Sequence, residues 1–83
     1  MDIIMKIYNI NFVYDMADNT KIEAVSIQFD MTIKDPSLRN GYTSLSGNQA
    51  IKFEEYILNA DPVKLKAVIL AKVKNYLSTA NLV

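Results

Sequence analysis

The sequence predicts an α+β fold, an antiparallel β-hairpin packed by a C-terminal α-helix, and three observations predict it. Two β-branched and aromatic runs, residues 3–14 and 21–34, flank the polar stretch Asp15-Met16-Ala17-Asp18-Asn19-Thr20, the pattern of two strands and a turn. Asp61-Pro62 places a helix N-cap before a residue whose missing N–H is harmless at the first helical position. Leu65, Ile69, Val73 and Leu77 then recur every fourth residue, a stripe able to cover one sheet face.

The first strand is apolar on both sides. Ile4, Tyr8, Ile10, Phe12 and Tyr14 form one row, and Ile3, Met5, Ile7 and Val13 lie on the other. In the second strand Val25, Ile27, Phe29, Met31 and Ile33 alternate with Ala24, Ser26, Gln28, Asp30 and Thr32, so one face is core and the other is wet. A two-residue turn at Ala17-Asp18 or Asp18-Asn19 makes opposing residue numbers sum to an odd value. Tyr8, Ile10 and Phe12 then lie beside Val25, Ile27 and Phe29 on the core face. Ile3, Met5 and Ile7 are left as an apolar patch on the opposite face, the candidate protein interface.

Asp35-Pro36 ends the second strand, and Asn40-Gly41 marks another turn. Residues 42–45 suit a short third strand. Beyond them two readings stay open: a helix over residues 47–59 opened by the capping-box pattern Ser46-x-x-Gln49, which we favour, and a strand through Ile51, Phe53 and Ile57. The C-terminal helix is expected to reach Ser78 or Thr79, with Leu70 and Tyr76 flanking its stripe, and residues 79–83 to fray. The 83 residues at 9.4 kDa make one domain, residues 1–83.

Composition excludes more chemistry than it suggests. With 51% hydrophobic residues, 22% charged residues, two Gly and two Pro, the chain is a folded globular one. It contains no His and no Cys, which removes zinc sites, thiol nucleophiles, haem ligation, Ser-His-Asp triads, imidazole acid–base chemistry and disulfides. Nine basic groups balance nine acidic ones and the pI is near 6.1, which argues against nucleic acid. The charges are segregated: residues 1–59 carry five basic and eight acidic groups, residues 60–83 four lysines against Asp61. No apolar run approaches the ~18 residues that span a bilayer, and Met1-Asp2-Ile3-Ile4 lacks a basic signal-peptide start. The expectation is a cytoplasmic or virion-associated protein with no membrane partner.

No catalytic, cofactor-binding or metal-binding residue is expected. Glu54-Glu55 is the one carboxylate pair, yet neighbours on a helix diverge by about 100°. Asp15, Asp18 and Asn19 lack the spacing of a calcium loop, and Gly41 and Gly47 belong to no phosphate-binding motif. Lys64, Lys66, Lys72 and Lys74 fall at about 200°, 40°, 280° and 120° around the helix, too scattered for a phosphate-tracking stripe.

Met5-Lys6-Ile7-Tyr8-Asn9-Ile10-Asn11-Phe12, a polar turn, residues 22–29, Asn40-Gly41-Tyr42 and a lysine-containing C-terminal helix together resemble small uncharacterised proteins of phages and prophages of low-GC Gram-positive bacteria. The resemblance covers most of the chain in pattern and composition, and no motif transfers a functional residue. It implies a small binding or structural accessory protein, with Met5 as an alternative start. The function expected is a non-enzymatic protein-interaction or structural accessory module, partnered by another protein or by its own copies as a homo-oligomer. The alternative is a regulatory or inhibitory protein, such as an anti-defence factor, that binds a host enzyme.

Overall fold

The computed structural model describes residues 2–83 and shows an α+β fold. Strands β1 (Asp2–Tyr14), β2 (Ile22–Lys34) and β3 (Tyr42–Lys52) form one antiparallel sheet in the order β1-β2-β3, followed by helices α1 (Phe53–Leu58) and α2 (Pro62–Thr79). Central strand β2 carries the core as its alternation requires: Val25, Ile27, Phe29 and Met31 are buried. Met5 and Ile51 join them from the flanking strands, and Leu65 and Ile69 descend from α2. Those eight residues are the whole buried apolar core among the described residues, and they lie on a single face of the sheet.

Residues 47–59 divide between the two readings the sequence leaves open. The third strand is not confined to residues 42–45 but runs to Lys52, and the helix that follows has only six residues. Ser46 and Gln49 therefore form no capping box. Gln49 is instead a strand residue opposite Ile27, buried, with its amide Nε2 donating to the Ala50 carbonyl at 2.9 Å and to the Tyr76 hydroxyl at 3.1 Å. Gly47 sits opposite Phe29, whose ring occupies the space of the missing side chain: a Cβ there would lie 3.1 Å from two ring atoms.

Helix α1 has no side-chain N-cap, and so short a helix is unstable alone. It is held by tertiary contact. The Phe12 ring meets Phe53 at 6.4 Å and Tyr56 at 5.7 Å, both edge to face, which fastens α1 over the hairpin end of the sheet. Helix α2 begins as predicted: Asp61 accepts from the Lys64 amide at 3.2 Å with Pro62 in the first turn. It ends where the Ser78 and Thr79 hydroxyls fold back onto the Asn75 carbonyl, both at 2.9 Å.

The hairpin turn is longer than the two residues expected. Residues 15–21 make two successive turns in which Asp15 accepts from the Ala17 amide, and Asp18 from the Thr20 amide and hydroxyl. The β2–β3 turn uses the same device, Asp35 accepting from the Ser37 amide and hydroxyl. Asn40 there takes a left-handed φ of 59°, a conformation Asn tolerates. The Thr20 hydroxyl, then its amide, holds the Asp18 carboxyl below its ordinary value, and Ser37 does the same for Asp35.

Replacing Ile27 or Ile69, both wholly buried, by Ala is expected to cost roughly 2–5 kcal/mol in chemical denaturation. Asp61→Ala should cost about 0.5–2 kcal/mol and Asp61→Asn almost nothing, because Asn caps equally well. The two turn carboxylates have folded pKa values below the ordinary 3.8. Their contribution to the turns is therefore fully present above that pH and is lost as pH falls through the lowered values. The amide shifts of Thr20 and Ser37 should titrate with midpoints below 3.8; midpoints above it would contradict the assigned hydrogen bonds.

Candidate interaction surface

The pairing of β1 with β2 changes parity twice, between Ile7 and Asn9 and again between Val13 and Tyr14, where Tyr14 opposes Ile22 beside the turn. From Asn9 to Val13 the opposing numbers sum to an odd value, as in Ile10 against Ile27 and Phe12 against Val25, which is the expected register. Between Ile7 and Asn9 the ladder shifts, and Tyr8 is the extra, unpaired residue of a β-bulge. Beyond it Ile7 opposes Phe29, Met5 opposes Met31 and Ile3 opposes Ile33, all with even sums. The bulge thus turns Ile3, Met5 and Ile7 to the same, helix-covered side as Ile10 and Phe12.

This corrects the expected faces. Ile3, Met5 and Ile7 do not sit among Gln28, Asp30 and Thr32; they line the covered side, Met5 only 8% exposed in the core, Ile7 half-buried and Ile3 40% exposed. Tyr8, expected beside Val25, Ile27 and Phe29, is exposed, and its hydroxyl donates to the Asp30 carboxylate on the open face. The other Asp30 oxygen accepts from the Ser46 hydroxyl at 2.8 Å, so one carboxylate ties β1, β2 and β3 together. Ser26 donating to Asn48 at 2.7 Å continues this polar lattice.

The two outer strands differ in what they offer. Exposed Ile3, Ile4, Tyr8, Phe12, Val13 and Tyr14 all belong to β1, whereas Tyr42 is the large exposed hydrophobic of β3, beside Thr43, Ser44, Ser46 and Asn48. Helix α2 leaves a cleft along β1. Near its first turns the cleft holds about 390 Å³ between Ile7, Ile10, Pro62 and Leu65. It continues past Lys66 as about 380 Å³ between Ile3, Met5, Ala67 and Leu70. Lys6 and Lys66 stand at its rim.

Elsewhere the ionisable groups do not converge. Glu55 pairs with Lys72 at 3.4 Å, away from exposed Glu54, and the Asp15 and Asp18 carboxylates serve their own turns. A bowl of about 320 Å³ at the β2–β3 turn combines Lys34 and Asp2 with Pro36, Leu38 and Tyr42. Among the described residues no group of three Asp or Glu side chains could hold a metal ion, and no helix is long and apolar enough to cross a membrane. Compared with protein-family models, with curated proteins and with solved structures, the chain finds no match in any of the three.

Met5→Ala should cost roughly 2–5 kcal/mol, whereas Ile4→Ala, on the open face, should stay within about 0.5 kcal/mol. Deleting Tyr8 should leave a regular strand with Ile3, Met5, Ile7, Ile10 and Phe12 on one side. That variant is expected to unfold cooperatively in denaturant, and loss of cooperativity would contradict the bulge assignment.

Proposed function

We propose that the chain is a non-enzymatic protein-interaction or structural accessory module, working in the cytoplasm or in a virion, and that it binds through the outer edge of β1 and the cleft beside it. One observation carries this reading: the strand with the most exposed apolar side chains is also an edge strand with an apolar cleft alongside. An incoming strand would satisfy the unpaired β1 backbone, and its alternate side chains would enter the cleft. A non-enzymatic role is supported by the absence of His and Cys and by the divergence of the Glu54-Glu55 pair. A phage or prophage origin is supported by the resemblance of pattern alone.

An inhibitory role against a host enzyme is the second reading, favoured by Lys6 and Lys66 at the cleft rim, which suit an acidic segment of such a partner. Changing Ile3 and Ile7 together to Thr keeps β-branching while removing apolar area from the cleft wall. The double variant is expected to remain folded by circular dichroism and to lose its assembly state in light scattering, or its copurifying protein when tagged. An unchanged assembly state together with unchanged copurification would move the function away from β1.

A further inference from the structure

We infer that the occupant of the β1 edge is a second copy of this chain, paired antiparallel about Ile4 so that two three-stranded sheets become one of six strands. The inference rests on the interaction reading above and names its partner.

Symmetry restricts the choices. In an antiparallel pair related by a two-fold axis, directly opposing residues must have equivalent hydrogen-bonding roles, so the axis passes through a residue facing its own copy. The ladder between Asp2 and Ile7 is regular and the Tyr8 bulge interrupts it, so the central residue lies within that stretch. Centring on Ile4 sets Asp2 against Lys6 of the other copy, twice, on the open face, and Ile3 against Met5, twice, on the covered face. Centring on Lys6 would oppose two lysines, and centring on Met5 or Ile3 would leave Lys6 or Asp2 facing an isoleucine or the bulge. Only the Ile4 axis matches charge with charge and apolar with apolar. Within its own chain Asp2 lies opposite Lys34 and Lys6 opposite Asp30, and among the described residues neither pair closes to ion-pair distance.

Surface area agrees with this occupant. The chain exposes 6423 Å², roughly 1,400 Å² more than the ~5,000 Å² typical of a folded monomer of its mass. Its radius of gyration is 15.1 Å, against about 12 Å for a compact domain of this length. The exposed tail supplies part of the excess, and the slab shape, 52 × 32 × 17 Å, supplies the rest. A standard interface removes on the order of 800 Å² from each partner. The two-fold also keeps both helices on one side of the joined sheet. Val63, Ala67 and Leu70, at helical spacing on α2, would then meet their counterparts over the closed cleft, with Ala67 small enough for close approach.

The chain has no cysteine, so a single introduced thiol reads the axis directly. Opposing residues of an antiparallel pair lie about 4.5–5.5 Å apart at Cα, within disulfide reach. Light scattering should show the parent as a dimer, and Ile4→Cys should oxidise to a covalent dimer while Ile3→Cys stays reduced. Lys6→Asp or Asp2→Lys alone should weaken dimerisation roughly 5- to 30-fold, and the charge-swapped double variant should restore it. A monomeric parent at millimolar concentration, an uncrosslinked Ile4→Cys variant, or failure of the double variant to restore dimerisation would each overturn the pairing. If the parent is monomeric yet the Ile3→Thr, Ile7→Thr variant loses a copurifying protein, the second copy is wrong and the interaction reading stands. If neither self-association nor copurification depends on β1, both fall.

Discussion

The unpaired residue Tyr8 determines what strand β1 contributes to the rest of the molecule. A regular strand sends alternate side chains to opposite faces, so Ile3, Met5 and Ile7 cannot share a side with Ile10 and Phe12 without an interruption. The bulge supplies it. Met5 can then close the core beside Met31, while Phe12 at the other end of the same strand holds Phe53 and Tyr56. The bulge adds Ile3, Met5 and Ile7 to the sheet face that both helices cover. The displaced residue is anchored on the far side through Asp30.

One-sided coverage follows, with its energetic consequence. Among the described residues three strands and two helices bury eight apolar side chains, so the margin left after chain entropy is narrow for a domain of this size. The open face is polar where Gln28 and Thr32 lie, and Ser26 donating to Asn48 and Ser46 donating to Asp30 link its strands without a second layer. The β1 edge differs: apolar side chains and unpaired backbone coincide there, and the bulge limits any added strand to the segment before Tyr8.

Strand β2 and helix α2 are legible in the sequence because one physical cause dominates each. Val25 to Ile33 alternate without exception, and Asp61-Pro62 leaves a helix start little freedom. Strand β3 is obscured because its inward row includes Gly47 and Gln49, which look wrong for a core until the Phe29 ring and the Tyr76 hydroxyl are in place. Both partners come from other elements, so no local pattern can display them. The bulge is obscured for a related reason. A strand apolar on both faces is compatible with two registers, and the choice is made by Met31 and α2. Its double apolarity is nonetheless the sign in the sequence that β1 is unusual, and it singles out Ile3, Met5 and Ile7 without fixing their face.

The Gln49–Tyr76 hydrogen bond has a consequence for how α2 is oriented. Contacts of Leu65 and Ile69 with the sheet are apolar and nearly indifferent to direction, so a small rotation or slide of the helix would change them little. A buried amide is not indifferent. Any arrangement that carries Tyr76 away from Gln49 leaves the buried amide with the Ala50 carbonyl as its one acceptor, and a buried donor without a partner costs about 1–3 kcal/mol. The pair therefore acts as an angular reference: hydrophobic burial decides that the helix lies on the sheet, and one side-chain hydrogen bond decides the heading along which it lies.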